Sequence, residues 1–96
     1  MPRRMAEGIE LLADPTRRRI IGLISAGVRH PGDIAEALPL SRPAVSQQLR
    51  LMTEAGLVRW QPSMFDGRSR HYTVNPLMRL PILAWLAGVD LRSNRL

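Results

Sequence analysis

Apolar residues recur at helical spacing along the first part of the chain. One face carries apolar side chains four and three positions apart, Met5, Ile9 and Leu12. Asp14 and Pro15 then have the residue types of an N-cap and a first helical position, and an apolar set at residues 20–24 follows them. Gly27 is suited to ending that second helix. The pattern therefore predicts two consecutive helices.

A short helix and a longer, capped helix come next. Residues 31–40 predict about two helical turns that cannot continue past Pro39. Ser41 is a good N-cap for the following helix, and Pro43 falls in its first turn, where proline is tolerated. Gly56 is placed to end this helix. Its buried stripe is predicted to be Val45, Leu49 and Met52.

The period of the pattern changes from helical to alternating after residue 56. Residues 57–61 and 70–74 are short, β-prone and separated by turn residues, and Gly67 is suited to the turn at the tip. Together these features predict a β-hairpin.

The segment at residues 77–91 is apolar on more than one face. Either a short turn precedes a helix starting at about Pro81, which we favour, or a longer helix kinks there. The element order predicts a mainly α fold with a β-hairpin wing, a winged helix-turn-helix, as a single domain over residues 1–96.

Groove-reading residue types lie opposite the buried stripe of the capped helix. Gln47 can pair bidentately with adenine and Arg50 with guanine, while the hydroxyls of Ser41 and Ser46 can donate to phosphates. Pro43 shares this face. The alternative is an ordinary amphipathic helix with a solvated polar face, so other signals are needed to support DNA reading.

Basic residues on the predicted wing and in the whole chain supply those signals. Arg68 and Arg70 share one face of the second strand, and Arg59 lies on the partner strand, where they could clamp phosphates. A solvated edge strand is the alternative. The 14 basic residues are all arginine and exceed the 8 acids, giving a net charge of +6. A codon bias towards arginine could produce this excess. The excess of positive charge together with the capped helix and the basic wing nevertheless favours a nucleic acid as the binding partner.

Several classes of site are disfavoured by composition. Without cysteine there can be no disulfide or thiolate metal site. We interpret His71 as a strand residue and His30 as a turn residue before Pro31, and the last segment offers only Asp90, so no metal or other cofactor is expected. The chain shows no signal peptide and no apolar run of membrane-spanning length, so we expect a cytoplasmic protein.

Three stretches resemble the ArsR/SmtB family of winged-helix transcriptional repressors: LADPTRRRIIGLI, SRPAVSQQLRLMTEAGLV and DGRSRHYTVNP. The resemblance covers roughly residues 10–76. It implies that Ser41, Arg42, Ser46, Gln47 and Arg50 face the DNA groove, with Arg68 and Arg70 on the wing. It also implies that the first and last helices form a two-fold dimer interface. The apolar candidates at the two ends are Met5, Ile9, Leu12, Ile82, Leu83, Trp85, Leu86 and Val89.

These features predict a homodimer that binds double-stranded DNA at an inverted repeat, because two-fold symmetry places two reading helices in successive major grooves. The resemblance favours a repressor, and the sequence specifies no inducer. A second possibility is the same fold used for protein contact. An enzyme is the third, but the Ser, His and acidic residues form no recognisable catalytic motif.

Overall fold

The computed structural model describes residues 8–64 and 69–88. Residues 8–10 are helical and pass into the 3-10 turn Leu11–Ala13. The later helices are α1 (Pro15–Ser25), α2 (Pro31–Ala37), α3 (Arg42–Glu54) and α4 (Arg79–Leu86), and the two strands are β1 (Val58–Pro62) and β2 (Arg70–Val74). A second 3-10 turn, Pro76–Met78, precedes α4. This arrangement confirms the predicted winged helix-turn-helix.

Side-chain caps and glycines set the bounds of α1 and α3 where the sequence predicts them. Asp14 accepts a hydrogen bond of 2.7 Å from the Thr16 N–H at the start of α1. Ser41 Oγ accepts one of 3.2 Å from the Ala44 N–H at the start of α3. Gly56 follows α3 with φ +80°, a conformation that a glycine adopts without steric cost. The start of α3 is therefore fixed by local chemistry.

The two strands form one antiparallel hairpin in which Trp60 pairs with Tyr72 and Pro62 with Arg70. Beyond the hairpin, the Tyr72 N–H donates to the Arg29 carbonyl at 3.0 Å. The residues before α2 thus lie along the outer edge of β2 and join the wing to the helix-turn-helix. The predicted tip at Gly67 lies outside the described residues.

The C-terminal part agrees with the favoured alternative, a short turn followed by a helix, but the helix starts earlier than predicted. It begins at Arg79, which makes Pro81 its third residue. The first four N–H groups of a helix have no partner within it, so a proline at this position removes no hydrogen bond. The prediction of a start at Pro81 was therefore two residues too late, and no kink is needed.

One apolar cluster joins the elements from Ile9 to Ile82. The predicted stripe of α3 lies entirely within it, since Val45, Leu49 and Met52 have no exposed surface. Three residues expected at a dimer interface belong to this cluster instead: Ile9, Leu12 and Ile82. Side chains covered this completely by their own chain offer almost no surface to a second copy, which corrects the expectation for these three. Met5 and Val89, expected at the same interface, lie outside the described residues.

Candidate nucleic-acid interface

A concave surface, called the groove below, lies between α3, the wing and the start of α2. Because β2 is tied to the segment before α2, the wing is held beside the N-terminal half of α3. The groove is lined by Pro31, Pro43, Ser46, Gln47, Arg50, Arg70 and Tyr72. Four of the predicted reading residues of the helix and one of the wing therefore share one surface.

The helix side of the groove presents polar groups to solvent. Pro43, Ser46, Gln47 and Arg50 are all exposed and lie within the first three turns of α3. Ser41 is exposed too; its oxygen accepts the capping bond from the Ala44 N–H, and its hydroxyl hydrogen can still donate to a phosphate oxygen. The exposed N-terminal turns of α3 have the form of a major-groove reader.

Arg42 lies just outside the groove, over the start of α2. A Cβ added at Gly32 would be 3.7 Å from the Arg42 guanidinium carbon, so the end of the Arg42 side chain lies close to the start of α2. The Arg42 side chain remains exposed. Its position beside the groove suits a contact with a flanking phosphate rather than a base.

Arg50 is paired with an acid of its own helix. Its Nε lies 3.7 Å from the Glu54 Oε1, and the two side chains are 79% and 69% exposed. Exposed pairs of this kind contribute about 0–1 kcal/mol. The guanidinium can therefore leave Glu54 for a base or phosphate at little cost.

On the wing side, Arg70 makes two contacts with aromatic residues. Its guanidinium carbon lies 4.0 Å from the centroid of the Trp60 ring, and its NH1 is 3.5 Å from the Tyr72 hydroxyl. Sequence reasoning missed Trp60 and Tyr72, because their place beside Arg70 depends on the strand register. Arg68, the other predicted wing residue, lies outside the described residues.

The register separates Arg59 from Arg70. Arg59 pairs with Thr73, whereas Arg70 pairs with Pro62, two rungs that face opposite sides of the hairpin. The expectation that Arg59 acts with Arg70 in one phosphate clamp is therefore wrong. Alternation along a single strand could not reveal this, because the register is set by both strands.

The two histidines connect the wing to the start of α2. His30 Nδ1 is 3.0 Å from the Arg70 carbonyl oxygen, and the His30 and His71 rings meet edge to face at 5.5 Å. Because a carbonyl only accepts, the Nδ1 of His30 must carry a proton. The predicted assignments hold, since His71 lies in β2 and His30 directly precedes α2.

A second surface, on α4 and the turn before it, is apolar and exposed. Leu80 is 78% exposed and Leu83 62% exposed. Of the residues predicted at a dimer interface, those that keep exposed surface are Leu83, Trp85 and Leu86. Leucines repeat here at intervals of three, Leu77, Leu80, Leu83 and Leu86. A contiguous apolar face of this kind is typical of an association surface.

Residues 8–64 and 69–88 lack two further classes of feature. This part of the chain contains no group of three or more His, Asp or Glu side chains placed to hold a metal ion. Nor does it contain a helix long and apolar enough to cross a membrane.

The chain is similar to known transcriptional regulators. The family profile of helix-turn-helix domains matches residues 12–59. The transcriptional regulator Rv2034 of Mycobacterium tuberculosis is 42% identical over 67 residues, covering 70% of this chain and 60% of that protein. The transcriptional repressor SmtB homolog of Synechocystis is 35% identical over 78 residues, covering 79% of this chain and 57% of that protein. The chain thus spans about three fifths of the length of these curated relatives.

Solved structures agree with these sequence relatives. A possible transcriptional regulator for arsenical resistance superposes with a TM-score of 0.70 at 35% identity, covering 93% of this chain and 96% of that one. The MepR–DNA complex of S. aureus superposes with a TM-score of 0.71 at 19% identity, covering 88% and 71%, which shows a shared fold. The relatives are regulators rather than enzymes. The chain therefore belongs to the ArsR/SmtB family of winged helix-turn-helix transcriptional regulators.

Proposed function

We propose that this regulator is a dimeric repressor that binds an inverted-repeat operator with α3 in the major groove and the wing on the flanking backbone. The observation that carries the proposal is the groove, where exposed polar side chains of α3 face Arg70 of the wing. Gln47 and Arg50 read base edges, while Ser41, Arg42 and Arg70 contact phosphates. The +6 charge of the chain favours association with a polyanion.

The exposed apolar face of α4 supports the dimer. A chain of 96 residues buries a modest fraction of its surface, so covering Leu80, Leu83 and Leu86 with a second copy adds stability. Two-fold symmetry would then place two α3 helices about 34 Å apart, in successive major grooves. We also propose that residues 1–96 form a single domain, because one apolar cluster joins the described elements.

Selection of bound duplexes from a random pool tests this function. The selected duplex should contain an inverted repeat, and its affinity should fall steeply as salt rises, since bound arginines release counterions from the phosphates. A scrambled duplex of equal length is the control. Equal affinity for both duplexes, with no salt dependence, would favour the alternative that this fold binds another protein rather than DNA.

A further inference from the structure

Trp60 offers its ring face to an arginine at the edge of the groove. The Arg70 guanidinium carbon lies 4.0 Å from the ring centroid, well within the range of a cation–π contact. Trp60 is 41% exposed although it is one of the largest side chains of the protein. Its ring does not line the groove itself, whereas Arg70 does.

The contact with Trp60 leaves most of the N–H donors of Arg70 available. A guanidinium is planar, and its N–H groups lie at its edge rather than on its faces. The Trp60 ring lies against the guanidinium carbon and Tyr72 contacts only NH1, so the remaining N–H groups can still donate to a phosphate. The contact with Trp60 also restricts the rotamers of Arg70 before DNA binds. Less conformational entropy is then lost when Arg70 contacts a phosphate.

Other contacts hold the same arginine in place. The Tyr72 hydroxyl lies 3.5 Å from the Arg70 NH1. Tyr72 itself is buried, with 3% of its surface exposed. The Arg70 carbonyl accepts a hydrogen bond from His30 Nδ1 at 3.0 Å. The backbone and the guanidinium of Arg70 are therefore both restrained, and by different elements.

We propose that Trp60 is a positioning residue for DNA binding, which holds the Arg70 guanidinium at the groove in the orientation that contacts a backbone phosphate. This inference rests on the proposed function. Trp60 acts through Arg70 and does not itself contact DNA. The contribution of Trp60 should accordingly disappear when Arg70 is removed.

A double-mutant cycle with the selected duplex tests the positioning role. Trp60→Leu should weaken binding about two- to five-fold, the size expected for an exposed cation–π contact. Trp60→Phe keeps an aromatic face and should restore most of the loss. In the Arg70→Ala background, Trp60→Leu should have no further effect. Arg59→Ala is the matched control, because it removes the same charge from the opposite face of the wing.

Two results would overturn the proposal. If Trp60→Leu weakens binding equally in the presence and absence of Arg70, Trp60 contacts DNA or shapes the wing. If Trp60→Leu binds like the wild type, the stack is irrelevant to binding. Should Trp60→Leu fail to fold, Trp60→Met carries the same test, since methionine is a large apolar side chain without a ring face for the cation. Wild-type affinity of Trp60→Met would then contradict the proposal.

The proposed function and this inference can fail separately. If the wild-type protein shows no preference among duplexes, the function fails before the cycle is measured. If the wild type prefers its selected duplex and Arg70→Ala weakens binding while Trp60→Leu does not, the function stands and the role of Trp60 is excluded. Thermal unfolding of each variant shows whether the wing remains folded.

Discussion

Arg17 of α1 donates a hydrogen bond of 3.1 Å from its NH1 to the Oε1 of Gln48 on α3. The same guanidinium donates from Nε to the Leu11 carbonyl at 2.6 Å and lies 3.7 Å from a carboxylate oxygen of Asp14. Arg17 therefore ties the N-terminal turn to the side of α3 next to Gln47. The reading helix is fixed to the part of the chain that precedes it as well as to the wing.

Arg17→Ala should destabilise the fold by about 1–3 kcal/mol, because the Leu11 carbonyl loses its charged donor in a partly covered position. Gln48→Ala should cost less, about 0.5–1.5 kcal/mol, since Arg17 keeps its other partners. Urea denaturation of both variants measures the difference. Equal losses would show that the contact with Gln48 accounts for the whole effect of Arg17.

Ser41 allows helix stability and DNA binding to be separated. Ser41→Ala removes the cap on the Ala44 N–H and should cost about 0.5–2 kcal/mol. Ser41→Asp keeps a capping oxygen and adds a negative charge where we place DNA phosphates. Thermal unfolding should show Ser41→Asp at least as stable as the wild type, whereas its affinity for the selected duplex should fall. Wild-type affinity of Ser41→Asp would place the phosphates elsewhere.

Asp14 makes the stability of the fold depend on pH in the acidic range. The backbone N–H of Thr16, followed by the charge of Arg17, lowers the pKa of Asp14 below its ordinary value of 3.8. Because the pKa of Asp14 is lower in the folded than in the unfolded protein, its carboxylate stabilises the fold at any pH above its pKa in the unfolded protein. This stabilisation is lost as the pH falls through its pKa in the folded protein. Asp14→Asn keeps the cap but does not titrate, so its unfolding midpoint should depend less on pH below about 4. Parallel curves for the two proteins would exclude this role.

The exposed face of α4 predicts an effect of charge on assembly. Leu83→Glu should yield monomers in sedimentation experiments, because association would bury an unpaired carboxylate. The fold should survive, since Leu83 is largely exposed in the single chain. Met64→Glu, at an exposed wing position, is the matched control and should remain dimeric. A Leu83→Glu dimer would move the interface to another surface.

Local signals in the sequence were sufficient for the elements that carry the groove. Ser41 and Gly56 bound α3 as predicted, and its apolar stripe is buried. These features depend on residues within one or two helical turns of each other, so spacing and residue type determine them.

Features that depend on contacts between distant parts of the chain were not predictable in this way. The pairing of Trp60 with Tyr72 follows from the register of two strands, which also places Arg59 away from Arg70. Ile82 is apolar like its neighbour Leu83, but tertiary packing buries the first and leaves the second exposed. Periodicity shows that a face is apolar and does not show what covers it.

The affinity of Arg50→Ala for the selected duplex and its single-base variants tests the central claim most directly. Arg19→Ala, an exposed arginine of α1 outside the groove, is the matched control. We expect Arg50→Ala to lose about 1–3 kcal/mol and to relax the base preference at one position, while Arg19→Ala keeps that preference. Unchanged affinity and base preference in Arg50→Ala would contradict the assignment of α3 as the reading helix.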